Sequence, residues 1–157
     1  LVDMGVMGGE KMDENKETAI GNVGSIEEFF EAKSKAFPNV QSKASFLVGV
    51  LVNYLLWVQR SERDLDYGQE PFRSKLYGLN IDESKIKKIY KEAVEKLVEY
   101  GRSSILQHYA GQYLLEAGNI WNLSKDEISY YFSLGLALGN ILYKKENMGD
   151  DKDGSKK

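Results

Sequence analysis

Residues 121–142, WNLSKDEISYYFSLGLALGNIL, constrain the fold more than any other stretch of the chain. Ser124, followed three residues later by Glu127, predicts a reciprocal helix cap. The hydroxyl accepts from the amide at the third helical position, and the carboxylate reaches back to the cap amide. Asp126 and Glu127 then stand in the first turn, where the helix dipole favours negative charge. Ile128, Tyr131, Phe132, Gly135, Leu138 and Leu142 follow at spacings of three and four. That spacing is the apolar stripe of a helix of about five turns. Leu134, Leu136 and Ile141 lie off the stripe, so the second half is expected to be buried on more than one side. Gly135 and Gly139 each cost about 1 kcal/mol of helix propensity against Ala. Four apart on one face, they predict close approach of a neighbouring helix. The stretch reads as a central packing helix with no catalytic group.

The rest of the chain supplies its partners. Ser25 and Glu28 predict a capped first helix in which Phe29, Phe30 and Phe37 give apolar surface and Pro38 ends the run. A second helix is expected from about Ser42 to Arg60. Phe46, Val50, Tyr54 and Val58 share one face, Leu47, Leu51 and Leu55 lie beside them, and Val48, Val52, Leu56 and Trp57 fill other directions. Being apolar nearly all round, it is the interior partner of residues 121–142. Its Val-rich middle is too long, and alternates too little, for a strand. Arg60 to Gly78 is a polar connection in which Pro71 suits the first turn of a short helix. Asp82 caps a long amphipathic helix through about Tyr100, with Ile86, Ile89, Tyr90, Ala93, Val94, Leu97 and Val98 as its stripe. Gly101 breaks it, and Ser103 or Ser104 begins the next. There Ile105, Leu106, Tyr109, Ala110, Tyr113 and Leu114 face inwards, and Gly118 serves as a left-handed C-terminal cap. The predicted fold is all-α: a single helical bundle of about five helices plus one short helix, over residues 25–143. Residues 1–24 read as a disordered leader and residues 144–157 as a disordered polar tail.

Composition removes several chemistries. With no cysteine there is neither a disulfide nor a thiolate site, and with one histidine, His108, there is no multi-histidine metal centre. His108 reads as a half-buried structural residue. Tyr109/Tyr113 and Tyr130/Tyr131 read as core aromatics. No phosphate-binding glycine loop and no triad is present, so no catalytic residue, metal site or cofactor is expected. The apolar run 46–58 is interrupted by Gly49 and Asn53 and is shorter than the about 20 residues of a membrane span. No signal peptide is visible, and a soluble, cytoplasmic protein is expected. The chain begins with Leu, and Gly8-Gly9-Glu10 can be encoded so as to contain a ribosome-binding sequence just before Met12. An internal translation start at Met12 is therefore an expectation; codons GGC-GGC-GAG there would exclude it.

The net charge of −3 is concentrated in the leader, and residues 25–143 carry fourteen basic and fifteen acidic groups. Any basic surface must arise by segregation of charge. The candidates are Arg60 and Arg63 at a helix end, Arg73 and Lys75 in the polar connection, and Lys85, Lys88 and Lys91, flanked by Lys87, on the early surface of the long helix. Guanidinium groups at helix ends can hold phosphates bidentately. No base-reading motif accompanies them, so they would grip backbone. The same residues are also consistent with solvated helix faces.

Three phrases, FLVGVLVNYLLWVQ (46–59), EPFRSKLYGLNID (70–82) and LLEAGNIWNLSKDEISYYFSLGLALG (114–139), resemble the C-terminal region of the large subunit of type I-B CRISPR surveillance complexes, the Csh or TM1802-like family. The resemblance implies a helical bundle equivalent to the small subunit of Cascade-type complexes, which in this family can be made from an internal start. It implies several copies beside the crRNA–target duplex and the displaced DNA strand. The implied partners are the large subunit, the backbone subunits, further copies of itself, crRNA and target DNA, with no membrane. It supplies no catalytic residue and no residue-level binding motif. A helical protein–protein adaptor without nucleic-acid contact is the alternative.

Overall fold

The computed structural model describes residues 23–76 and 80–139. Five α-helices and one 3₁₀ helix run in order: α1 Val23–Ala32, α2 Val40–Arg63, the 3₁₀ helix Pro71–Leu76, α3 Glu83–Glu99, α4 Ile105–Ala117 and α5 Lys125–Leu138. Among the described residues there is no strand, as the all-α reading requires. The proposed leader and tail lie outside the described residues, apart from Val23 and Gly24 in α1. Two compact units are defined, Pro38–Asn140 and the remainder of the chain.

In the smaller unit, α1 begins at Val23, so Ser25 lies inside its first turn rather than at its cap. It ends at Ala32, well before Pro38. Lys33 N–H is shared between the Phe29 and Phe30 carbonyls at 3.2 Å each, and turns carry the chain on to Phe37. This early stop folds Phe37 back on the helix, with ring centroids 6.1 Å from Phe29 and 5.1 Å from Phe30. Aromatic edge contact has replaced further helix.

In the larger unit α2 is the hub, touching α3, α4, α5 and the 3₁₀ helix. It is longer at both ends than its sequence predicts. Asn39 and Ser42 form a reciprocal cap that moves the start to Val40. At the other end Asp64 takes the left-handed conformation, φ 54° and ψ 53°, where a glycine would be the usual signal. From Phe46 to Leu56, all residues but Asn53 are buried, which fits its all-round apolar character.

The α2–α5 seam is made by absent side chains. A Cβ on Gly135 would fall on the Phe46 carbonyl oxygen and within 2.9 Å of the Val50 nitrogen. One on Gly49 would fall on the Phe132 carbonyl oxygen, and one on Gly139 would come within 2.8 Å of the Val50 Cα. The close approach expected of Gly135 and Gly139 is therefore present, with Gly49 as its counterpart on α2. Asn53 Nδ2 adds a hydrogen bond to the Leu136 carbonyl.

The expected Ser124–Glu127 cap closes α5, with Glu127 N–H donating to Ser124 Oγ at 3.1 Å and Ser124 N–H to Glu127 Oε1 at 2.9 Å. The helix has 14 residues, about four turns rather than five; residues 140–142 lie outside the described residues. Its second half is not buried all round: Leu138 is 45% exposed, and Leu134 and Leu136 are half-buried. A single seam against α2 explains this, and the central position belongs to α2. Tyr130, 59% exposed, also leaves the predicted core.

Asp82 caps α3 by accepting from Lys85 N–H at 2.9 Å. Its far end is a Schellman motif: Gly101 has φ 69°, Arg102 N–H reaches the Leu97 carbonyl and Gly101 N–H the Val98 carbonyl, both at 2.9 Å. Ser104 caps α4. Gly118 has a positive φ of 75°, but its ψ of −164° is extended rather than left-handed helical. Buried Gln41 ties the α4–α5 connection to α2, accepting from Asn122 N–H at 2.9 Å and donating to the Ile120 carbonyl at 3.1 Å. His108, read from sequence as half-buried, is exposed on α4, its ring edge-on to Tyr109.

Candidate nucleic-acid interface

Six of the seven cations singled out by charge divide into two groups, with Lys75 between them. Arg60 and Arg73 converge on one carboxylate, Glu70, whose side chain is fully buried. Arg73 Nε donates to Glu70 Oε1 at 2.7 Å and its Nη2 to Oε2 at 3.1 Å, while Arg60 Nη1 also donates to Oε2. A fourth donor is the backbone N–H of Gly68, 2.9 Å from Oε1. Burial by itself would push the pKa of Glu70 up. Hydrogen bonds from Arg73, the backbone and Arg60 overcome it, holding the carboxyl at about 2. Arg73 is in turn held more firmly charged by its hydrogen bond to Glu70.

This cluster organises the connection after α2. Gln69 N–H bonds the Asp66 carbonyl at 3.1 Å, Asp66 N–H bonds Gln69 Oε1 at 2.9 Å, and Gly68 has φ 96°. The resulting turn presents Tyr67, 78% exposed, beneath both guanidiniums: Arg73 lies 4.7 Å and Arg60 5.3 Å from its ring centroid. Buried Gln59 fixes the next segment to α2 by accepting from Phe72 N–H at 2.9 Å. Sequence reasoning took Arg60 and Arg73 and missed Glu70, Gln59 and Tyr67. Glu70 and Arg73 stand three apart, which is a readable local pair. The approach of Arg60 from ten residues upstream is tertiary.

The second group is open. Arg63, Lys85, Lys88 and Lys91 form no ion pair with a described residue. Arg63 stands exposed in the last turn of α2, where it also complements the helix dipole. Lys88 and Lys91 are exposed and Lys85 half-buried, three apart along the outer side of α3. Lys75 lies between the groups, its Nζ 3.8 Å from Glu92 on α3 and its side chain 48% exposed. Glu92 is one turn beyond Lys88, so Lys75 is brought towards the α3 lysines. On α3 Lys88 precedes Glu92 and Lys91 precedes Glu95, the less favourable order for pairs four apart. Intrahelical pairing therefore does little to quench these lysines.

Among the described residues no group of three His, Asp or Glu is placed to hold a metal ion, and no helix is long and apolar enough to cross a membrane. The class so defined is an all-helical unit among the described residues. Residues 1–148 match the family of the CRISPR-associated protein TM1802 C-terminal domain. The chain belongs to that family and is a component of a CRISPR system. No curated protein and no solved structure matches it.

Proposed function

We propose that the chain is a non-catalytic small subunit, or the C-terminal domain of the large one, in a type I-B CRISPR RNA-guided surveillance complex. In this reading it supports assembly with the other subunits and with further copies of itself. It holds the crRNA–target duplex or the displaced strand by backbone contacts, while guide pairing supplies sequence recognition. The observation that carries this reading is the open set Arg63, Lys85, Lys88 and Lys91 in a member of a CRISPR-associated family. With the body of the chain near neutral, each contact is weak and the total comes from several copies. Arg60 and Arg73 contribute through the outward side of guanidiniums already anchored by Glu70.

The test is salt-dependent binding of single-stranded and duplex oligonucleotides. K85E/K88E/K91E is expected to weaken binding at low salt and reduce the salt slope by about two to three. Unchanged affinity and slope in that variant would remove the reading. A second reading, a protein–protein adaptor without nucleic-acid contact, draws on Leu115 and Ile120 at the α4–α5 corner, 81% and 83% exposed. L115S/I120S would then abolish assembly with the neighbouring subunits, while the lysine variant assembles and protects the displaced strand as wild type.

A further inference from the structure

One surface depression combines an unexplained aromatic with fixed cations. Its volume is ≈ 210 Å³, and it lies between the second half of α2, the Tyr67 turn and α5, lined among others by Asn53, Arg60, Tyr67, Arg73, Ser133 and Leu136. Tyr67 is the anomaly. A tyrosine 78% exposed gains little from burial, yet its turn is fastened at Asp66, Gly68 and Gln69 by hydrogen bonds. The ring stands in water with the guanidiniums of Arg60 and Arg73 beside it. Beside it, the countercharge sits behind the cations: the Glu70 side chain is fully buried, while those of Arg60 and Arg73 are 24% and 18% exposed. Each guanidinium has five N–H donors; Glu70 takes one from Arg60 and two from Arg73, and Arg73 also hydrogen-bonds the Tyr67 side chain. The remaining donors leave a net positive, hydrogen-bond-rich rim whose orientation is already set.

We propose that this depression binds one unpaired nucleotide of a single strand, with Tyr67 and the adjoining guanidinium planes as the stacking surface for its base. The free donors of Arg60 and Arg73 take the adjacent phosphate. Stacking on an aromatic ring or a guanidinium plane tolerates any base, which suits a protein that leaves sequence recognition to the guide. A continuous duplex cannot use the site, because its bases are stacked on one another. The site therefore distinguishes single-stranded from paired nucleic acid, which the α3 lysines cannot do. This inference rests on the nucleic-acid reading above and adds to it a preference for unpaired strand.

The experiment is fluorescence titration of the 157-residue chain and its variants with a short thymidine strand carrying one 2-aminopurine, and with the same strand in a duplex. Y67A is expected to weaken single-strand binding about 5- to 140-fold, the worth of one base stack. It should abolish the quenching of 2-aminopurine, leave duplex binding unchanged and keep the salt slope of wild type. Y67F, which keeps the ring, should bind as wild type. Because Tyr67 is exposed, a folded Y67A, checked by circular dichroism, is expected. Wild-type affinity and quenching in Y67A would overturn the pocket alone if K85E/K88E/K91E still weakens binding. Absence of binding by the wild-type chain would overturn both readings. Equal loss of duplex and single-strand affinity in Y67A would also overturn the preference.

Discussion

α2 is held in two contrasting ways along its length. In its middle, against α5, Gly49 and Gly135 leave nothing between the two backbones. At its C-terminal end, Gln59 and Arg60 reach out to Phe72 and Glu70 with long polar side chains. The first contact is a close approach of two backbones, and it serves architecture. The second gives its buried carboxylate four N–H donors while the two arginine side chains stay partly exposed. A fold that needs both rigidity and a binding surface can therefore place them on one helix, because different chemistry closes each joint. The contrast also explains why the proposed nucleotide site borders the polar joint and merely abuts the seam.

Four measurements test this contrast between the two joints. The largest effect is expected at the seam. G135A puts a methyl group onto the Phe46 carbonyl, a backbone atom that cannot rotate away. Urea unfolding should show a loss of about 4 kcal/mol or more, despite the better helix propensity of Ala. A neutral or stabilising G135A would show that the helices can separate without cost, and the seam would lose its architectural role.

At the polar joint, E70A strands two partly buried guanidiniums and frees the Gly68 amide. Breaking such a set typically costs about 3 kcal/mol, read as a lower urea midpoint together with protease cleavage appearing within residues 64–70. Removing the charges together, as in E70L/R60L/R73L, should recover much of that loss, because no charge remains unpaired. Glycine-seam variants have no such rescue. If the triple variant is no better than E70A, the joint depends on more than charge pairing.

Acid should act on one joint and spare the other. Glu70 is lowered from 4.5 to about 2 in the folded chain, so its contribution is complete above pH 4.5 and falls away as the pH drops towards about 2. Linkage bounds that loss at about 3 kcal/mol. The wild-type chain should lose more stability than E70Q across this window, whereas G135A should follow the wild-type pH dependence. Parallel curves for wild type and E70Q would mean that Glu70 does not carry the acid sensitivity. The smallest effect is expected for N53A, which removes the hydrogen bond to the Leu136 carbonyl at the rim of the seam. Asn53 is half-exposed and water can replace it, so about 1 kcal/mol or less should be lost.

Several signals between residues within one helical turn were legible, although the equally local Ser25–Glu28 pair does not mark the start of α1. The Ser124–Glu127 and Asp82 caps, the stripe of α3 except for Val98, which is 65% exposed, and the close-packing glycines of α5 belong to this kind. The start of α2 was legible in principle, since Asn39 and Ser42 carry a reciprocal cap, but its end was not. Asp64 adopts a left-handed conformation that sequence ordinarily assigns to glycine. Burial was less legible than periodicity. Leu138 and Tyr130 follow helical spacing yet remain in water because α2 covers only one side of α5. The candidate site shows the same limit. Seven cations could be chosen from charge, but nothing in the order of residues separates Arg60, committed to Glu70, from Arg63, three residues later and open.

Sequence alone was enough for the all-helical class, the ends of α3 and α4, the start of α5, and the absence of thiol and multi-histidine chemistry. Those properties depend on residue type and on spacings of three or four positions. Only the tertiary structure decided that α2 is the hub and that Gly49 opposes Gly135. It also decided that Glu70 gathers two arginines beneath which an exposed tyrosine is held. The glycine seam and the approach of Arg60 to Glu70 join residues ten or more positions apart, where the chain carries no local record of its neighbours.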